Sequence, residues 1–269
     1  NQFDAACGFG GNRESGYGRE GGLEGMMEVL KPVFISKLPL YKTAATPSKI
    51  SADKPSPKHL DRTPKLYIGG KQARPDSGYS LPVYSPKGEK TGEVGDGNRK
   101  DIRNAVEAAN KATGWTKASS HNRAQVLYYM AENLDSRKEE FAARLRQTTG
   151  VSAKKAAAEV AATIQRLFSY GAWADKYEGA IHSPPMRGVT LAMKEALGTI
   201  GIACPDENPL LSMVSLAAPA LAMGNRIVLI PSERHPLTST DFYQILETSD
   251  VPGGAFNIVT GHRDDLAKT

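Results

Sequence analysis

Three short apolar runs, separated by two segments of helical periodicity, occupy residues 195–261 of the chain. The runs are 197–204, 226–230 and 255–260, and the two helical segments are 210–223 and 237–246. Strands that alternate with helices at this spacing predict an α/β fold with a doubly wound, Rossmann-like parallel sheet. In such a sheet, ligands bind at the carboxyl ends of the strands. The function of the chain is therefore expected to depend on the loops that follow these strands.

The sequence before residue 195 predicts further elements. Asn98 is expected to cap the first of its helices. The predicted strands are 66–68, 81–84 and 189–194, and the predicted helices are 99–111, 120–150 and 152–177.

Composition excludes several classes of protein. With 40% hydrophobic and 23% charged residues, the 269-residue chain is typical of globular proteins. No apolar run reaches the roughly 20 residues of a membrane span, and no signal peptide pattern opens the chain. Two distant cysteines, Cys7 and Cys204, fit neither a disulfide framework nor a zinc site. We therefore expect a cytoplasmic protein with no metal and no membrane partner.

The net charge of +5 is concentrated in one stretch. Residues 31–74 hold ten Lys or Arg against Asp53 and Asp61, a balance of +8 that leaves −3 for the rest of the chain. Six prolines between residues 31 and 64 oppose helix and central strand, which predicts an extended linker. We expect no nucleic-acid partner; the alternative is an arm that binds phosphates or a membrane surface.

The amino-terminal residues are rich in glycine. Gly16, Gly18 and Gly21 formally satisfy the dinucleotide pattern GxGxxG, but that pattern needs a buried strand before it. The preceding residues 11–15, Gly-Asn-Arg-Glu-Ser, cannot form such a strand. The glycines instead predict a loop that needs a positive φ or the close approach of another segment.

The same loop resembles the sequence near the carboxyl end of aldehyde dehydrogenase domains. Residues 8–20 read Gly-Phe-Gly-Gly-Asn-Arg-Glu-Ser-Gly-Tyr-Gly-Arg-Glu, with Gly8 where the family usually has proline. Residues 65–269 are similar to the amino-terminal half of such a domain, in the family's order. The segments that carry the likeness are 65–70, 84–86, Trp115, 170–176, 195–201, 218–225, 231–233, 236–238 and 252–259.

This resemblance implies a domain organisation. Residues 1–30 would be the carboxyl-terminal tail of one aldehyde dehydrogenase-like domain, 31–64 a linker, and 65–269 the NAD(P)-binding half of a second. That is the layout of the tandem, family 16 type. Because the chain also begins without methionine and stops soon after a strand, we expect an internal fragment with an incomplete fold. Family members usually pair through an edge segment, which residues 33–35 would supply in a homodimer.

The loop after the first strand departs from the family. There the family reads Pro-Trp-Asn-x-Pro, and its Asn donates a hydrogen bond to the oxyanion formed from the aldehyde. Here Asp206 replaces the Trp and Glu207 replaces the Asn. An ionised Glu only accepts hydrogen bonds, and the loss of one such donor costs about 10²–10³ in rate. The alternatives are that Asn208 substitutes after a one-residue shift, or that the loop is a plain polar turn.

The loop after the second strand departs as well. The family's Lys-Pro-Ser-Glu holds the adenosine ribose through its Lys and Glu. Here Ile230 replaces the Lys, whereas Pro231, Ser232 and Glu233 are retained. The resemblance implies NAD or NADP bound through these three residues, weakened roughly 10- to 150-fold by the lost Lys. The alternative is that Glu233 begins the following helix.

No residue of the chain is predicted to be catalytic. The family's catalytic cysteine and general-base glutamate would lie beyond Thr269 and before Asn1. Cys204 is expected to pack at the end of a buried strand, and Cys7 precedes a turn that the family does not use in catalysis. The remaining candidates are expected at the surface or in structural roles: His59, His121, His182, His235, His262, Glu14 and Glu20.

Two functions remain open. The first is an NAD(P)-dependent aldehyde dehydrogenase that oxidises aldehydes to carboxylic acids, with its second domain catalytically impaired and this fragment inactive alone. The alternative is a non-enzymatic scaffold of the same fold that binds a protein partner.

Overall fold

The computed structural model describes residues 9–10, 19–20, 63–177, 179–183, 185 and 187–269, and for 9–10 and 19–20 the backbone alone. These residues form two compact units. The smaller unit holds 9–10, 19–20 and the described residues of 177–195, and the larger holds 63–176 and 196–269. Several predictions lie outside the described residues, namely those for Cys7, Glu14, 33–35, His59 and most of the linker.

The strands are β1 Phe9–Gly10, β2 Arg19–Glu20, β3 Leu66–Ile68, β4 Lys71–Ala73, β5 Ser80–Tyr84, β6 Lys90–Gly95, β7 Ala180–His182, β8 Thr190–Ala192, β9 Thr199–Ala203, β10 Arg226–Ile230 and β11 Phe256–Ile258. The helices are α1 Arg99–Lys111, α2 Thr113–Lys117, α3 Ser120–Ser136, α4 Lys138–Thr149, α5 Ala153–Trp173, α6 Pro209–Ala222, α7 Leu237–Asp241, α8 Tyr243–Thr248 and α9 Arg263–Leu266. In the smaller unit, β1 pairs with β2 and β7 with β8, both antiparallel.

A five-stranded sheet in the order β4-β3-β11-β10-β9 forms the centre of the larger unit. Strands β9, β10 and β11 run parallel, as the sequence predicts, and β3 and β4 add an antiparallel edge. The α/β, Rossmann-like fold class is therefore confirmed, with a sheet that is mixed rather than purely parallel. The antiparallel edge arises because β3 and β4 are joined by a tight turn at Gly69 and Gly70, whereas parallel neighbours need a crossover.

Helices cover both faces of this sheet because the side chains of β10 alternate. Ile227 and Leu229 lie in one apolar cluster with α6 and α8, while Val228 and Ile230 lie in a second cluster with α1. Helix α1 begins at the predicted cap, since the Asn98 side chain accepts hydrogen bonds from the backbone N–H groups of Lys100 and Asp101. The parallel strands are thus buried on both faces.

Two predicted helices are each divided in two. The helix predicted over 120–150 breaks at Arg137, where the Ser136 hydroxyl donates to the Asn133 carbonyl and the chain leaves helical geometry. The helix predicted over 237–246 breaks at Phe242. There the ring of Phe242 packs edge-on against Phe141, while the adjacent Tyr243 stacks on Tyr67. Phe242 keeps helical dihedrals, and its N–H still donates to the Thr238 carbonyl, so this interruption of the helix is slight.

The predicted burial of the first strand is wrong. Strand β9 is the edge of the sheet, and its Gly201 and Ala203 are exposed. Its apolar composition therefore reflects the face that it turns toward α6. Among the helices that the structure describes, none is both long enough and apolar enough to cross a membrane.

Candidate functional site

The carboxyl ends of β9, β10 and β11 meet at one edge of the sheet, because neighbouring parallel strands end on the same side. We call this region the carboxyl edge and define it by the three loops 204–208, 231–235 and 259–263. The predicted site residues Glu207, Asn208, Pro231, Ser232 and Glu233 all lie in the first two of these loops.

The first loop ends in a left-handed residue. Asn208 has φ 46° and ψ 62° and precedes Pro209, the first residue of α6. Asn208 does not cap this helix with its side chain, and Glu207 is exposed and uses its backbone carbonyl to accept from the Ser212 hydroxyl. The positions assigned to an oxyanion donor are thus a solvent-facing carboxylate and a solvent-facing amide. The role of either residue stays a prediction.

A buried carboxylate from another helix caps α6 instead. One oxygen of Glu159, on α5, accepts hydrogen bonds from the backbone N–H groups of Leu210 at 3.0 Å and Leu211 at 3.3 Å. Burial raises the pKa of the Glu159 carboxyl, and the two N–H donors oppose that rise in part. Sequence reasoning missed this residue, although its signal was present: one acid lies among the apolar residues of the α5 face.

Replacing Glu159 with glutamine is expected to flatten the dependence of stability on pH. The folded pKa of this carboxyl is raised above its ordinary value. Below the ordinary pKa of about 4.3 the carboxyl is protonated in both the folded and the unfolded state, and its burial costs no stability from ionisation. Above the raised folded pKa the carboxyl is ionised in both states, and the full free energy of ionising the buried group is lost from the stability of the fold. Relative to Glu159→Gln, the unaltered chain should lose stability as the pH rises through that window.

Urea unfolding of both proteins over a series of pH values measures this difference. Glu139→Gln, at an exposed position on α4, is the matched control and should follow the unaltered chain at every pH. A Glu159→Gln curve that also runs parallel to the unaltered chain would show that the carboxylate carries no such cost.

Position 230 belongs to the hydrophobic core. Ile230 is 6% exposed and lies in the apolar cluster with Ile102 and Ala105 of α1. The resemblance places a ribose-binding lysine here. In this chain the position instead contributes apolar packing between the sheet and α1, and it offers no hydrogen-bond donor.

Asp206 joins the first loop to the second. Its Oδ1 accepts from the Ser232 hydroxyl at 2.8 Å and from the Arg234 backbone N–H at 3.3 Å, while its Oδ2 lies 3.6 Å from Arg234 Nε. The buried Ser232 hydroxyl in turn accepts from the His235 N–H at 3.0 Å. The Ser232 hydroxyl thereby has an internal acceptor for its proton and an internal donor for its oxygen.

Glu233 joins the second loop to the third. One carboxylate oxygen lies 3.2 Å from His262 Nδ1, and the other accepts from the Arg263 backbone N–H at 2.9 Å. The alternative that Glu233 begins the following helix is wrong, because α7 starts only at Leu237. The carboxylate instead caps α9 across the edge.

Arg263 joins the third loop to the first. Its Nη1 donates to the backbone carbonyl of Cys204 at 3.1 Å, which ties the third loop to the end of β9. Sequence reasoning expected His262 at the surface and did not single out Arg263. Their position directly after Gly261, beyond the third predicted strand, was the available signal.

Cys204 is fully buried, and burial raises the pKa of its thiol to about 12. The thiol is therefore protonated at neutral pH and is not a nucleophile. This placement agrees with the expected packing role.

The described histidines do not form a catalytic pair. His121 and His262 are exposed as expected, and His182 is half-buried. His235 is likewise half-buried, burial lowers the pKa of its imidazole, and its Nδ1 has no hydrogen-bond partner. Within the described ranges, no group of His, Cys, Asp and Glu could hold a metal ion.

Comparisons with known proteins cover most of the chain. A model described as the aldehyde dehydrogenase family matches residues 73–269. The mitochondrial aldehyde dehydrogenase family 2 member B4 of Arabidopsis thaliana is 32% identical over 202 residues, which are 73% of this chain and 38% of that protein. Omega-crystallin of Nototodarus sloanii is 30% identical over 204 residues, 73% of this chain and 41% of its own.

Solved structures share the fold. The NAD-dependent aldehyde dehydrogenase from Sinorhizobium meliloti superposes with a TM-score of 0.74 at 26% identity, over 77% of this chain and 42% of that one. The NAD+ complex of aldehyde dehydrogenase from Bacillus cereus gives a TM-score of 0.75 at 24% identity, over 81% and 46%. The chain therefore spans about two fifths of the length of the relatives it matches.

Proposed function

The chain belongs to the aldehyde dehydrogenase family, and we propose that it is part of a longer NAD(P)-dependent enzyme that oxidises aldehydes to carboxylic acids. The match over residues 73–269 and the relatives named for this activity support the proposal. Because the chain spans only about two fifths of those relatives, the activity is proposed for the whole protein, and this chain alone is inactive.

The domain organisation follows from the order of motifs. Residues 1–30 are the tail of a first domain, 31–64 a linker, and 65–269 the NAD(P)-binding half of a second, as in the tandem family 16 type. The Phe-Gly-Gly and Ser-Gly-Tyr-Gly-Arg-Glu motifs of residues 9–20, placed before the matched half-domain, support this organisation.

The second domain is catalytically impaired. NAD or NADP is the cofactor that the family implies, but the residues at the carboxyl edge do not fit it. The observation that carries this conclusion is that both oxygens of Glu233 already have internal partners. Ile230 supplies no donor, and Glu207 presents a carboxylate where the family presents an oxyanion donor. Turnover is therefore assigned to the first domain.

Assay of the full-length protein with a panel of aldehydes and either NAD or NADP tests this proposal. Reduced nicotinamide and the matching carboxylic acid should form together, and replacement of the first domain's catalytic cysteine by alanine should abolish both. If no aldehyde yields either product, the enzymatic proposal fails.

The second candidate is a non-enzymatic scaffold in the cytoplasm that associates as a homodimer or with another protein. The internally saturated carboxyl edge favours it, since a fold kept without its ligand contacts can serve assembly alone. One relative is named a crystallin rather than a dehydrogenase. Failure of the aldehyde assay, combined with a stable dimer in sedimentation, would support this candidate.

A further inference from the structure

We propose that the carboxyl edge carries an autoinhibitory latch, a ring of contacts among its three loops that competes with nucleotide for Glu233. The latch comprises Asp206–Ser232, Glu233–Arg263 with His262, and Arg263–Cys204. The inference rests on the proposed function only in taking the family's cofactor as the competing ligand.

In the first contact of the latch, the Ser232 partner is buried away from water. Ser232 is 1% exposed, and its hydroxyl donates to the Asp206 carboxylate at 2.8 Å. A hydrogen bond to an ionised acceptor is roughly twice as strong as a neutral one, and burial limits competition from water. The first two loops are therefore held together independently of any ligand.

The second contact uses the carboxylate that a ribose would need. Glu233 accepts from the Arg263 N–H at the start of α9, and its other oxygen faces His262. Its side chain is 22% exposed. The ribose of a nucleotide can form a hydrogen bond with Glu233 only if this carboxylate first breaks its contacts with Arg263 and His262.

The third contact satisfies a buried carbonyl. The backbone of Cys204 is anchored by its N–H, which donates to the Ile230 carbonyl at 2.9 Å, while its own carbonyl accepts from Arg263 Nη1. A buried carbonyl without a donor is unfavourable, so Arg263 resists displacement.

The three contacts form a closed ring: first loop to second, second to third, and third to first. Displacement of any one loop breaks two contacts at once, which makes opening cooperative. The apparent Kd for nucleotide equals the intrinsic Kd divided by the fraction of open molecules. A latch that is rarely open therefore weakens binding beyond the loss of the lysine, although Glu233 itself is retained.

Calorimetric titration of the full 269-residue chain with NAD+ tests the latch. The variants are Asp206→Ala, Arg263→Pro and the two combined, all of which retain Glu233. Proline is tolerated at the first position of α9, and it removes both the N–H from which Glu233 accepts and the guanidinium that donates to the Cys204 carbonyl. We expect the double variant to bind NAD+ at least tenfold more tightly than the unaltered chain, with each single variant between them. Glu140→Ala, which breaks the exposed ion pair with Arg137 on α4, is the control and should leave the Kd unchanged.

A double variant of native circular dichroism whose Kd equals that of the unaltered chain overturns the latch. If the double variant fails to fold, His262→Ala removes one of the two partners of Glu233 and should still tighten binding. An unchanged Kd again overturns the proposal. The aldehyde assay of the full-length protein tests the enzymatic proposal, and the NAD+ titration tests the latch, so either proposal can be refuted without the other.

Discussion

Replacement of Asn257 by alanine is expected to lower the free energy of unfolding by about 3–5 kcal/mol. Asn257 lies on β11 and is fully buried. Its amide donates to the carbonyls of Ile227 at 2.9 Å and Gly254 at 2.8 Å, and its Oδ1 accepts from the Gly69 N–H at 2.9 Å. Alanine removes all three hydrogen bonds, and a backbone group that stays buried without a partner costs about 1–3 kcal/mol.

Urea unfolding of the 269-residue chain measures this loss. Asn104→Ala is the matched control, because Asn104 is exposed on α1 and its replacement should change stability by no more than about 0.5 kcal/mol. Asn257→Asp retains the acceptor but removes both donors, and it should also be strongly destabilising. A loss below about 1 kcal/mol for Asn257→Ala would mean that water replaces the side chain.

Replacement of Gly70 by alanine is expected to cost about 3–4 kcal/mol, from two separable causes. Gly70 has φ +80°, which L residues rarely adopt, and a Cβ there would lie 2.6 Å from the Cα of Gly253. The Gly253 backbone is fixed by the loop before β11 and cannot retreat like a flexible side chain.

Gly78→Ala separates the two causes. Gly78 has φ +70°, but nothing lies within 4 Å of its added Cβ, so only the dihedral cost of about 1–2 kcal/mol applies. Thermal and urea unfolding of both variants give the difference, which is the energy of the backbone contact. Equal losses would show that the turn moves away from Gly253 without cost.

Periodicity was sufficient to predict most of the fold. The alternation of apolar strands and helices predicts β9, β10, β11 and α6 to within a few residues. The breaks at Arg137 and Phe242 were beyond such reasoning, because the apolar periodicity of both segments continues through them. The edge position of β9 depends likewise on strand order, which no single segment encodes.

For the candidate site, the positions of the residues could be predicted from the sequence but their contacts could not. Glu207, Ile230 and Glu233 could be placed at the strand ends from the chain alone, since loops after parallel strands share one edge. Their partners could not, because the contacts join residues that are distant in sequence: Asp206 and Ser232 are 26 positions apart, and Glu233 and Arg263 are 30. Only the register of the sheet brings those pairs together.

We propose that this chain keeps the nucleotide-binding fold while its carboxyl edge is satisfied by its own residues. Thermal unfolding of the unaltered chain with and without about 1 mM NAD+ tests it most directly, since a ligand that binds only the folded state raises Tm. We predict a rise no larger than about 1–2 °C, which corresponds to a Kd near or above millimolar. Micromolar binding would stabilise the fold by about 4 kcal/mol and raise Tm by roughly 10 °C, and that result would contradict the account.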